Sequence, residues 1–249
     1  MAERRFVVEG PQAVREALAA GGLLELFVEP GRADDLADAA RAAGTPVTEV
    51  TAKVLAAMAE TVTPQGVLGV APLLDVGLDE ALAGGPRLVA VLDQVNDPGN
   101  AGTVLRTADA AGADAVVLTE GSVDPHNGKC VRATAGSLWH LPVVSGAPLE
   151  DAVRRLRDAG LQVLATSGGG ADDLDDLADD GVLAAPTAWL FGPEAAGLSD
   201  EALALADRTV RIPIVGRAES LNLSAAAAVC LYATARAHRV AVHQARVRP

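Results

Sequence analysis

Leu88-Val89-Ala90-Val91-Leu92, continuing into Asp93-Gln94-Val95-Asn96-Asp97-Pro98-Gly99-Asn100-Ala101-Gly102-Thr103-Val104-Leu105-Arg106-Thr107-Ala108-Asp109, reads as a strand turning into a helix. Five consecutive apolar residues leave no polar face for water, which marks a parallel strand buried on both sides. One proline and two glycines then shape the turn into the helix. The pattern repeats downstream. Strand-like runs lie at 115–118, 141–144, 161–165, 187–191 and 209–212, and helical segments at 102–111, around 130–136, at 149–159, 200–206 and 223–242. Alternating strands and helices predict an α/β domain with a parallel sheet covered on both faces. In such sheets ligands bind beyond the C-terminal ends of the strands.

Upstream, residues 6–71 form a smaller α/β pattern. A helix over 11–20 starts with Pro11 and ends at Gly21-Gly22, and strands are predicted at 24–28 and 67–71. A helix at 32–43 is closed by Gly44, and Thr51 caps another that runs to Glu60. The expected organisation is a first domain at 1–75, a linker at 76–86 containing Gly84-Gly85, and a second domain at 87–249. The Gly- and Asp-rich stretch 167–181 reads as a solvated loop.

Composition narrows the chemistry. Aromatic residues are only 2% of the chain, so the core must be built from Ala, Val and Leu. The net charge of −13 argues against a general polyanion binder and leaves room for a local basic face. Cys130 and Cys230 are too few and too distant for a disulfide framework or a zinc site. His126, His140, His238 and His243 show no ligand spacing, so no metal is expected. No apolar run reaches membrane-spanning length and no signal-peptide pattern opens the chain, which points to a cytoplasmic protein.

Three polar corners sit where strands end. In the first, Gly102 and Arg106 share a helix face, so Arg106 is expected to lean back over Gly102 toward Asn100. An Arg106–Asp109 ion pair is the bland alternative. The second corner runs Leu190-Phe191-Gly192-Pro193-Glu194-Ala195-Ala196-Gly197-Leu198, with a glycine that lets a ligand approach backbone. The third runs from Ile212-Pro213 to Ser220-Leu221-Asn222-Leu223-Ser224, just before the run Ala225–Ala228. Either Ser220 or Asn222 there serves as an ordinary helix cap.

Taken together and in order, Asn100-x-Gly102-x-x-x-Arg106, Leu190-x-Gly192-x-Glu194-x-x-Gly197-Leu198 and Ile212-Pro213 with Ser220-Leu221-Asn222-x-Ser224 resemble the three motifs of the SpoU (TrmH-type) RNA 2′-O-ribose methyltransferases. The resemblance spans about residues 88–238 and includes Asp124-Pro125-His126-Asn127-Gly128-Lys129. Ile214 stands where many members carry Met. The first domain is similar to the ribosomal-protein-like, RNA-binding domain of the ribosomal-RNA branch.

The resemblance implies a deep trefoil knot in the second domain, with S-adenosylmethionine bent inside it. Gly192, Ile212, Leu221, Thr166 and Leu190 are then the cofactor contacts. It assigns catalysis to Arg106, Asn100, Glu194, Ser220 and Asn222, with Arg106 as proton acceptor. A guanidinium stays protonated far above neutral pH, so two versions stand: an electrostatic clamp on the developing alkoxide, or a proton relay through a substrate phosphate. The family also implies a homodimer and a structured RNA partner, met by Arg15, Lys129 and Arg132. Ribosomal RNA is the leading substrate. A tRNA ribose methyltransferase and a non-catalytic ribosome-assembly protein remain as alternatives. A nucleotide-dependent oxidoreductase lacks its glycine fingerprint.

Overall fold

A computed structural model describes residues 4–194 and 196–247, with side chains to residue 244. It holds two sheets. The first is built from β1 (Arg5–Glu9), β2 (Glu25–Val28), β3 (Val47–Glu49) and β4 (Val67–Pro72), in the order β1-β4-β2-β3. Helices α1 (Pro11–Ala19), α2 (Asp34–Ala42) and α3 (Ala52–Met58) connect its strands. Thr51 caps α3 as expected, its side chain accepting from the Val54 N–H. The strands β1 and β3 are additions to the sequence reading. β3 is three residues long and mostly exposed, so it carries little apolar signal.

The second sheet has seven strands. After α4 (Leu78–Leu82) come β5 (Leu88–Leu92), α5 (Pro98–Ala111), β6 (Ala115–Thr119), α6 (Gly128–Thr134), β7 (Val143–Ala147) and α7 (Leu149–Asp158). Then follow β8 (Gln162–Thr166), β9 (Asp172–Asp173), α8 (Leu174–Asp179), β10 (Thr187–Phe191), α9 (Asp200–Ala204), β11 (Arg208–Arg211) and α10 (Leu223–Val247). The strand order is β7-β6-β5-β10-β8-β11-β9, and every pairing in it is parallel.

Strands β5, β6 and β10 are buried at every residue because both faces are covered. Leu88, Ala90 and Leu92 face a core shared with α5, α6 and α10, while Val89 and Val91 face one shared with α4, α7 and α9. The first of these cores continues into the N-terminal sheet through Phe6, whose ring lies 4.8 Å from His126 and 6.0 Å from Trp139. Trp189 on β10 donates to Thr234 on α10 at 2.9 Å, pinning the last helix to the central strand. Polar ties close the junction between the sheets: Glu9–Arg132 at 2.9 Å, Arg4–Asp75 at 3.3 Å, and His140 between Glu16 and Asp109.

Three sequence expectations are corrected. The 76–86 stretch contains α4, whose Ala81 and Leu82 are buried, and Asp75 bridges to Val143. The 167–181 stretch contains β9 and α8, and Leu174 and Leu177 anchor it in the core. Asp173 caps α8, and Asp172 and Asp173 pair with Arg208 and Arg211, while Asp175, Asp176, Asp179 and Asp180 stay exposed. The strand expected at 141–144 lies at Val143–Ala147, because Pro142 has no N–H for the ladder and contributes only its carbonyl, to Val116. Among the described residues no helix is long and apolar enough to cross a membrane.

Candidate active site

The C-terminal ends of β5, β8, β10 and β11 all open on one side of the sheet, where the first turn of α10 arrives. A cavity of about 290 Å³ lies there, at the lower edge of the range of roughly 300 Å³ and above for small-molecule sites. Thr166, Gly192, Ile212 and Leu221 line it, with Glu194 and Ser220 at the polar side and Leu198, Leu223 and Ala226 as apolar wall. A Cβ at Gly192 would stand 2.6 Å from the Leu198 nitrogen and 2.7 Å from the Gly197 carbonyl carbon. Only glycine lets the 192–198 loop fold back this tightly. A shape with apolar walls and carboxylates at Glu194 and Glu219 fits a nucleoside that carries cationic groups, as S-adenosylmethionine does.

Leu190 does not line this cavity. Its side chain is fully buried and its carbonyl accepts the Thr166 hydroxyl at 3.2 Å. Leu190 therefore supports the wall from behind. Gly168, whose glycine run reads most simply as a flexible loop, does line the cavity.

Next to the cavity the three corners meet. Asn222 Nδ2 donates to Glu194 Oε1 and, at 3.3 Å, to Asn100 Oδ1. Ser224 Oγ donates to Asn100 Oδ1 at 3.0 Å. Asn222 rather than Ser220 caps α10, its Oδ1 accepting from the backbone N–H of Ser224 at 2.9 Å and of Ala225 at 3.4 Å. Ser220 is exposed on the rim. Residues 100, 194 and 222, scattered through the chain, are thus one hydrogen-bonded cluster. Ser224 reads from the sequence as capping or packing rather than reacting, because a serine in the first turn of a helix usually satisfies itself locally; its bond to Asn100 is an addition.

Arg106 departs from expectation in its surroundings. Gly102 serves helix packing instead of making room for it: a Cβ there would stand 2.5 Å from the Cys130 carbonyl oxygen and 2.6 Å from Ala133 Cβ, so α5 and α6 touch backbone to backbone. The Arg106 side chain is exposed and has no hydrogen-bond or ion-pair partner among the described residues. Asp109, its possible partner, belongs to His140 at 2.7 Å. The other cations expected to face RNA are each held by carboxylates: Arg15 by Asp35 at 3.4 Å, Lys129 by Asp97 at 2.9 Å, and Arg132 by Glu9 at 2.9 Å. The Lys129 ammonium in turn holds the Asp97 carboxyl below its usual range, helped by the Asn100 N–H. Among the described residues no cluster of His, Cys, Asp and Glu is arranged to hold a metal ion.

Comparison with known proteins gives the family. Residues 87–232 match the model of the SpoU rRNA methylase family, and residues 7–75 match that of RNA 2′-O ribose methyltransferase substrate binding. The Bacillus subtilis 23S rRNA (guanosine(2553)-2′-O)-methyltransferase RlmP is 34% identical, over 91% of this chain and 87% of its own. The 23S rRNA (guanosine-2′-O-)-methyltransferase RlmB of Bordetella pertussis is 34% identical, over 85% and 88%. Among solved structures, the SpoU methyltransferase AviRb of Streptomyces viridochromogenes with AdoMet superposes with a TM-score of 0.83 at 29% identity, covering 96% of this chain and 92% of that one. An AdoMet-bound rRNA methyltransferase of Sinorhizobium meliloti gives 0.78 at 35% identity, covering 94% and 87%. With its polar residues assembled at the strand ends and the family model covering the whole seven-stranded unit from β5 into α10, the chain belongs to the SpoU rRNA methylase family.

Proposed function

We infer that this chain transfers a methyl group from S-adenosylmethionine to a ribose 2′-hydroxyl of large-subunit ribosomal RNA. The observation that carries the reading is the cluster of Asn100, Glu194 and Asn222 beside the cavity bounded by Gly192. Relatives matched over most of their length are named for 23S rRNA, which favours ribosomal RNA over tRNA. Thr166, Gly192, Ile212 and Leu221 are the residues that would hold the cofactor. When bound, S-adenosylmethionine supplies an activated methyl group for in-line displacement.

The chain's own task is to align a ribose hydroxyl and to stabilise the charge that develops on it. Arg106 is a fixed cation with no internal partner among the described residues, so it is free to clamp that oxygen and the neighbouring phosphate. Asn100 and Asn222 orient the ribose, while Glu194 and Ser220 border both ribose and cofactor. The test is methyl transfer from radiolabelled S-adenosylmethionine to total RNA. Transfer to no RNA sinks the enzymatic reading, and near-full turnover by Arg106→Lys sinks the guanidinium clamp.

The same reading includes a trefoil knot in the second domain. It is supported by the path of the chain, which runs out to β11 beyond β8, passes the 192–198 loop, and returns in α10 to pack on α5 and β5. It includes a homodimer, supported by Val229 and Tyr232, which are 42% and 48% exposed on α10. It also divides the chain into an RNA-binding unit at 1–75 and a catalytic unit at 87–249, acting in the cytoplasm. Exposed cations such as Arg217 meet the RNA backbone, so binding weakens with salt.

A further inference from the structure

The direction in which the Asn100 amide faces follows from hydrogen-bond chemistry alone. Backbone N–H groups of Ser224 and Ala225 point at one end of the Asn222 side chain, at 2.9 and 3.4 Å. An N–H can only donate, so that end must be the oxygen. The other end of Asn222 is then its –NH₂, which faces Glu194 Oε1 and, at 3.3 Å, Asn100. The Asn100 atom that meets this donor must be its oxygen. Ser224 Oγ lies 3.0 Å from the same oxygen and 3.4 Å from the Asn100 main-chain oxygen, and its single proton goes to the nearer, a second donor to the side-chain oxygen. A carbonyl oxygen has two lone pairs, and both are now taken. The Asn100 –NH₂ is left with no acceptor among the described residues.

Ser224 is 8% exposed and lies beneath this arrangement, away from the cavity. We propose that Ser224 is a positioning residue that, with Asn222, locks Asn100 with its –NH₂ turned outward, so that Asn100 meets an acceptor oxygen of the RNA, a ribose or phosphate oxygen, and never a hydroxyl proton. The proposal rests on the methyltransferase reading given above. It makes Asn100 a donor, which excludes it as the general base.

The order of the bonds dictates the test. Ser224→Ala removes one of the two locks and lowers kcat roughly tenfold, while the Kd for S-adenosylmethionine and the KM for ribosomal RNA stay within about twofold. Ser224→Thr keeps the hydroxyl and restores the rate. Asn100→Asp can still accept from both donors, yet it has no proton to offer and loses roughly a hundredfold in kcat. In an Asn100→Ala background, Ser224→Ala has no further effect, because Ser224 acts only through Asn100. A Ser224→Ala enzyme with native kcat overturns the proposal, as does an equal loss with and without Asn100.

Side-chain amide resonances give a reading that needs no turnover. The Asn100 –NH₂ pair, assigned by its absence in Asn100→Ala, should shift or broaden in Ser224→Ala and keep its position in Ser224→Thr. If the unaltered chain methylates no RNA, the functional reading falls, while an unchanged Asn100 pair in Ser224→Ala separately refutes the lock.

Discussion

His140 Nδ1 lies 2.7 Å from Asp109 Oδ2, and its other ring nitrogen lies 3.3 Å from Glu16. Carboxylates only accept, so an imidazole held between two of them must donate from both nitrogens and carry a proton on each. The Asp109 bond, opposed by desolvation and assisted by Glu16, raises the His140 pKa above its ordinary 6.5. The raised folded value means that this contribution to stability is complete below about pH 6.5 and is lost as pH rises through the folded pKa. The site is 42% exposed, so the effect is a fraction of a kcal/mol and falls with salt. The melting-temperature difference between the native chain and His140→Gln should be largest near pH 6 and shrink by pH 9. A difference that is flat or grows with pH would contradict this.

Arg132→Ala should destabilise the chain more than a surface ion pair would. Glu9 is 6% exposed at its side chain and would be left with only the Glu60 N–H as donor. A stranded buried charge costs about 3–5 kcal/mol when wholly buried. With Arg132 itself 31% exposed, we expect about 2 kcal/mol, read as a lower urea midpoint. Glu9→Gln combined with Arg132→Met should recover part of the loss.

Gly192→Ala tests the cavity independently of catalysis. The added methyl would press against the Leu198 nitrogen at 2.6 Å, and backbone cannot yield as a flexible side chain can. S-adenosylmethionine affinity measured by calorimetry should fall by roughly tenfold or more, about 1.4 kcal/mol. Circular dichroism should stay native. Unchanged affinity would move the cofactor elsewhere.

Neither cysteine should react while the chain is folded. Burial pushes the Cys130 thiol up to about 12, with Asp124 and Asp97 adding to it, and raises Cys230 as well. The thiolate is the reactive form. Dithionitrobenzoate at pH 8 should therefore titrate no thiol in the native protein and two after denaturation. One fast thiol would show that a helix carrying it opens locally.

The catalytic half was legible because its strands are continuous apolar runs and its motifs sit where those runs stop. The run 88–92, the turn at Pro98 and Gly99, and the polar pair Ser220 and Asn222 needed only local rules, although α5 begins at Pro98, four residues before the expected start at 102. What stayed hidden depended on partners distant in the chain. Ser224 needs Asn100, 124 residues away, before it is more than a serine in a helix. Arg15, Lys129 and Arg132 read as free cations because nothing local shows that Asp35, Asp97 and Glu9 will fold against them. Leu174 and Leu177 were masked by the aspartates around them, since a short amphipathic turn has too few apolar residues to be periodic.

The backbone-tight seam at Gly102 has a mechanical meaning. The helix that abuts it, α6, also grips the N-terminal sheet through Arg132 and Glu9, and Gly102 lies two residues past Asn100. Side chains that interlock over several ångströms give under load, but two backbones in contact have no slack to take up. Whatever displaces α6 therefore displaces the first turns of α5 as well, and with them the backbone that carries Asn100.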